Sequence, residues 1–126
     1  MSEPVIQLPG AAGAGGLPAV GGSFIIKEWR GSGPATLHVH YADDEAWHVL
    51  EGTLAFRFAD REVEVPAGGT VFVPAGVPHT YVAHEARYLI ILTPRLDALI
   101  KELQQTPDRA AQAEVYRRHQ SEVLEP

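Results

Sequence analysis

The sequence predicts an all-β domain, a sandwich or jelly roll, and three observations carry that expectation. Eight short runs rich in β-branched and aromatic residues recur at close spacing, each bounded by turn residues. Twelve Gly and ten Pro would warn of disorder in a polar chain, but with 45% apolar residues they punctuate many short elements instead. A length of 126 residues accommodates one core and not two, because an independent domain takes roughly 100 to 150 residues.

The elements follow in chain order. Between residues 7 and 22 the chain is almost entirely Gly, Ala, Pro and small aliphatics without period, which predicts an extended or flexible N-terminal arm over 1–22 with no chemistry of its own. Strands are predicted at 24–29, 36–40, 45–50, 54–58, 62–65, 70–73, 79–82 and 88–93. Leu54, Phe56 and Phe58 alternate with Ala55 and Arg57, Ala59-Asp60-Arg61 turns the chain, and Val63 and Val65 alternate with Glu62 and Glu64. That hairpin should have one core face and one solvent face. The run 88–92 does not alternate, so a second sheet and the helices, or a partner subunit, should cover both of its faces. Pro94 ends it. Leu96, Leu99, Ile100 and Leu103 recur at helical spacing and predict a helix at 96–105. Thr106-Pro107 reads as the N-cap and first position of a second helix reaching about His119. The plan is an arm at 1–22, a barrel at 23–93 and a helical segment of the same domain at 94–126.

Composition excludes several function classes. Sixteen acidic and ten basic residues leave a net charge of −6, and the longest Lys/Arg cluster is Arg117-Arg118, so neither nucleic acid nor an anionic membrane is an expected partner. Zero cysteines exclude disulfides, thiolate metal sites and a Cys nucleophile. Any metal must therefore be held by nitrogen and oxygen. The acidic start Met1-Ser2-Glu3-Pro4 lacks the pattern of a secretory signal and no apolar run approaches the roughly 20 residues of a membrane helix, so a cytoplasmic protein is expected.

Chemistry concentrates in His38-Val-His40-Tyr-Ala-Asp-Asp-Glu45-Ala-Trp47. Residues two apart on a strand share a face, so His38 and His40 can aim both imidazoles at one point. The same alternation puts Glu45 and Trp47 on one side of the next strand. Farther on, Pro74-Ala-Gly76-Val-Pro-His79 is a shaped turn with a histidine opening the following strand, which makes His79 the candidate fourth ligand. By parity His48 and His84 face away from Glu45 and His79, and His119 lies in a polar helix, so these three stay outside the site.

These residues resemble the two motifs of the cupin superfamily, in particular its compact, quercetin-dioxygenase-like single-domain members. His38, His40, Glu45 and Gly52 match the first motif, with Ser32 where its leading Gly is expected. Gly68, Pro74, Gly76 and His79 match the second, with Ala83 where it ends in Asn. The resemblance covers about residues 23–93 and implies a jelly-roll barrel with His38, His40, Glu45 and His79 as ligands of one divalent transition metal per chain. Three imidazoles and one carboxylate suit Fe, Mn, Co, Ni, Cu or Zn, and an octahedral ion so held keeps roughly two positions open. The family favours iron or manganese.

Three functions follow from the resemblance. The first is an oxygenase of dioxygenase type acting on a small enol- or phenol-like substrate, with Glu45 as a base and Trp47, Phe72 and Tyr81 lining an apolar cleft. The second is a non-redox lyase, isomerase or cyclase, with Tyr81 or a water moving the proton. The third is a small-molecule-binding protein without catalysis. A homodimer is expected, since strand 88–92 and the apolar arm offer more sticky surface than a 13.7 kDa monomer exposes comfortably.

Overall fold

A computed structural model describes residues 3–9 and 16–125. The parts of the predicted arm at 1–2 and 10–15, and residue 126, lie outside the described residues. The chain folds as an antiparallel jelly roll with two short helices, as the strand pattern predicts.

Strands β1 (Ala19–Val20) and β2 (Ile25–Trp29) pair with each other, so the end of the predicted arm is an edge strand. β3 (His38–His40) is followed by β4 (Glu45–Phe58), β5 (Glu62–Pro66), β6 (Thr70–Val73) and β7 (His79–Leu92). β4 and β7 are each 14 residues long and pair from Phe58↔His79 to Ala46↔Ile91. They form the spine of the barrel.

Four predicted strands are thus two. Gly52, read as a turn, instead sits in a bulge where the β4–β7 register shifts between Val49 and Thr53. Its φ of 71° is left-handed, and a Cβ there would lie 2.2 Å from the Glu85 carbonyl oxygen, so only glycine lets the two strands pass this closely.

The core joins Trp47, Val49, Leu54 and Phe56 of β4 to Tyr81, Tyr88, Ile90 and Leu92 of β7. Strand 88–92 therefore does alternate: Tyr88, Ile90 and Leu92 are buried, while Leu89 and Ile91 are partly open on the outer face. The predicted hairpin is present as β4–β5, but Val63 stays 38% exposed because β5 pairs only with β4 and has no second neighbour to cover it.

Helix α1 (Pro94–Gln104) starts two residues before its expected position, with Thr93 as N-cap accepting from the Leu96 N–H. Helix α2 (Arg109–Arg118) is capped by Asp108 and not by Thr106, whose hydroxyl instead donates to the Glu102 carbonyl at the end of α1. Leu96, Leu99, Val115 and Tyr116 dock both helices onto the core. After α2, β8 (Ser121–Val123) pairs with β3, an element too short to leave a periodic signal. Among the described residues no helix is long and apolar enough to cross a membrane.

Candidate metal centre

The site is assembled by strand register. His38 on β3 lies directly opposite His79 on β7, and His40 follows His38 by two residues on the same face. The ring centroids are 4.5 Å apart for His38–His79, 5.0 Å for His38–His40 and 5.2 Å for His40–His79. One ring nitrogen from each histidine lies within 4.8 Å of the others, and all three residues are buried. Glu45 opens β4 beside them, its Oε1 3.2 Å from His79 Nε2 and 3.4 Å from His40 Nε2. The structure brings the four expected ligand residues into one chamber.

Each ring is held from behind. His38 Nδ1 donates to the Thr36 carbonyl at 3.0 Å and His79 Nδ1 to the Val77 carbonyl at 3.0 Å. His40 Nδ1 lies 2.8 Å from Ser121 Oγ, and that hydroxyl in turn donates to the His119 carbonyl. A carbonyl only accepts, so these contacts fix the proton on Nδ1 and leave Nε2 to bind. Ser121 comes from β8 and was missed in the sequence, where nothing marks a lone serine as partner of a histidine 81 residues away.

Electrostatics prepare the same donors. Burial, reinforced by the neighbouring His79 and His40, lowers the His38 pKa to about 3, so this imidazole is neutral at pH 7, the form that ligates. Burial pushes Glu45 upward, but the His40 and His79 rings beside it outweigh that and hold the carboxyl down at about 2. Three neutral-capable imidazoles with anchored tautomers and one carboxylate fit a divalent transition ion.

The walls agree with expectation in part. Trp47 and Tyr81 line the chamber, with ring centroids 5.4 Å apart, and Trp47 stands 5.7 Å from His79. Phe72 does not join them. It is 62% exposed, because Val73, two residues C-terminal to Val71, faces inward with it and Phe72 between them must point out. Tyr81 carries a hydroxyl, but Tyr88 donates its own proton to the Gly31 carbonyl, so the 2.9 Å contact between the two phenols is a donation from Tyr81 to Tyr88. Burial raises the Tyr81 phenol to about 12.

A second phenol was not foreseen. Tyr116 of α2 packs its ring 5.6 Å from that of His38 and lines the chamber. Burial, and then the negative Glu45, push its pKa up. His48 bonds Thr70 and His84 is exposed, as parity predicts, and His119 caps α2, so all three stand apart from the centre.

The two departures from the motif pattern meet in space. The Ala83 N–H donates to Ser32 Oγ at 2.9 Å, so the side chain gained at one position bonds the backbone at the other.

Three known proteins share stretches or shape with this chain. An uncharacterized protein of Streptomyces coelicolor, SCO3923, is 32% identical over 56 residues, 43% of this chain and 53% of that protein. The chain spans only about a third to a half of the curated relatives it matches. KdgF from Halomonas sp. superposes with a TM-score of 0.54 at 21% identity, covering 64% of this chain and 79% of that one. Pac13 of Streptomyces, described as a nucleoside dehydratase, superposes with a TM-score of 0.52 at 16% identity, covering 60% and 63%. Both structural likenesses bear on fold alone. The family model for the cupin domain matches residues 26–93, from β2 through the end of β7 and so through His38, His40, Glu45 and His79. With barrel, match and histidine cluster in agreement, this chain belongs to the cupin-domain family.

Proposed function

We propose that the chain is a metal-dependent enzyme that moves a proton on a small enol- or phenol-type organic substrate, in the lyase, isomerase or cyclase class. The observation that carries this reading is the Tyr116 phenol, buried on the chamber wall with its ring 5.6 Å from that of His38. His38, His40, Glu45 and His79 would hold the ion, which when bound supplies Lewis acidity toward a substrate oxygen. Tyr116, kept protonated at neutral pH by burial, serves as the general acid. Tyr81 and Trp47 act as walls that exclude water, since the Tyr81 proton is already given to Tyr88.

A second reading is oxygenase chemistry with iron or manganese. The three-imidazole, one-carboxylate set and the aromatic walls support it equally well. The two are separated by incubating metal-loaded protein with enols, diketones and catechols in deuterated buffer while following O₂. Deuterium exchange or conversion without O₂ uptake supports proton transfer, and stoichiometric uptake transfers the assignment to an oxygenase. Binding of these compounds without turnover by any metal-loaded form leaves a non-catalytic binding role. Tyr116→Phe should keep the metal and lose about 100-fold in rate; an unchanged rate would remove Tyr116 from the chemistry.

A further inference from the structure

The metal chamber is small, about 40 Å³, and adjoins a cavity of about 770 Å³ between β2, β7, the 32–36 segment and the two helices. Pro34, Tyr81, Ile90, Ile100, Leu103 and Tyr116 line both spaces, so the two share one largely apolar wall. Sites for drug-sized molecules run from roughly 300 to 1,000 Å³. The chamber alone is far below that range, and the adjoining cavity falls within it.

The charge of that cavity is opposite to the charge of the chain. The whole molecule carries −6, yet the charged residues on the cavity wall are Lys27, Lys101 and Arg109 against Glu125 alone. Glu125 is neutralised by two 2.8 Å hydrogen bonds from Arg57. Lys27 and Lys101 both pair with Asp97, a buried carboxylate that does not face the cavity. Two ammonium groups on one carboxylate leave a positive charge in excess. Lys101, with 65% of its side chain exposed, can swing that charge toward an incoming anion.

Resting on the metal-dependent reading above, we propose that the substrate is an organic carboxylic acid. Its aryl or alkyl body lies along Ile90, Ile100 and Leu103, its carboxylate meets the ammonium groups of Lys101 and Lys27, and its reacting oxygen reaches the histidines. Apolar walls lower the local dielectric and strengthen the ammonium–carboxylate attraction over its value in water. The same walls reject strongly hydrated polyanions, which have too few partners here.

The test titrates 3-(4-hydroxyphenyl)propionate and its uncharged amide into full-length zinc-loaded protein, read by calorimetry. The acid should bind about ten-fold more tightly than the amide, the size of one charge-assisted contact. Added salt should shrink that ratio. Lys101→Met should abolish most of it, and Lys101→Arg should retain it. Equal affinities for acid and amide, no binding of either, or a ratio untouched by Lys101→Met would overturn the inference. A phenyl phosphate that binds more tightly than the acid would overturn the carboxylate in favour of a phosphate. Metal content measured on the same samples keeps the two ideas apart. A preference for the acid in protein that takes up no zinc sinks the metal reading alone, and bound zinc without the preference sinks the carboxylate alone.

Discussion

A histidine ligates well only when its other nitrogen is occupied, and here each imidazole has a different occupant: the Thr36 carbonyl, the Val77 carbonyl and the Ser121 hydroxyl. The two carbonyls belong to the residue two before the histidine, so they come with the turn. Ser121 alone can be deleted by substitution. Ser121→Ala should weaken metal binding about ten-fold, measured by competition with a chromophoric chelator, with little change in far-UV circular dichroism. Unchanged affinity would show that β8 holds the His40 ring by packing alone. His79→Ala should cost most of the metal and the thermal stabilisation that accompanies it, whereas His48→Ala and His84→Ala should cost neither. Comparable losses in all three variants would refute the assignment of the site to the inward faces of β4 and β7.

At the scale of elements, the two 14-residue strands need a point at which to bend, and the bulge at Gly52 is that point. Gly52→Ala combines a left-handed φ with a contact 2.2 Å from backbone that cannot move aside, and should destabilise by about 2 kcal/mol or more. Gly68 offers a control, since its φ is 91° but nothing lies within 4 Å of an added Cβ. Gly68→Ala should cost only the conformational strain, about 1 kcal/mol. Urea melts of both variants compare the two figures, and an equal cost would mean that the strands separate easily at the bulge. The helices do a different task. They carry Leu96, Leu99, Leu103 and Tyr116 over the barrel mouth, so the segment after residue 93 supplies a wall of the chamber that the barrel by itself lacks.

For the whole molecule, acid should be destabilising over a defined window. The His38 pKa is near 3 when folded against 6.5 when exposed, so the unfolded chain takes up this proton first and stability declines as pH falls from about 6.5 toward 3. The slope from this one group is at most about 1.4 kcal/mol per pH unit. Glu125, held down at about 2 by Arg57 and the Leu37 N–H, adds stability above its ordinary 4.5 that is lost as pH drops from 4.5 toward 2. Both run in the same direction. Melting temperatures of chelator-treated protein should fall steadily below pH 6.5, and a flat profile from 6.5 to 4.5 would contradict a buried, neutral His38. A homodimer is also expected. Phe72, Ala46, Ile91 and Ile26 are aligned across β6, β4, β7 and β2 on the outer face, an apolar row that isologous pairing would cover. Light scattering should return twice the 13.7 kDa chain mass, and a monomer at micromolar concentration would retire the expectation.

The residues that could be read directly were those whose meaning is local. The shared faces of His38 with His40 and of Glu45 with Trp47, and the turn from Pro74 to His79, follow from the two-residue period of a strand and from turn geometry, and the resemblance to the two cupin motifs then pointed to a metal before any fold was known. The all-β class and both helices were legible for the same reason, because alternation and helical spacing are properties of neighbouring residues. Phe72 shows the limit of that logic: it was expected on the cleft wall, but which face of β6 turns inward depends on register with β4. The bulge that fuses four predicted strands into two, the approach of Ser121 to His40 across 81 residues and the arrival of Tyr116 beside His38 depend on contacts between distant segments. Such contacts are chosen by the packing of the complete core, in which no single stretch of sequence holds both partners. Local periodicity together with the motif resemblance therefore marked the candidate ligands and the segments that carry them, and tertiary packing decided what orients those residues, what encloses them and which cavity adjoins them.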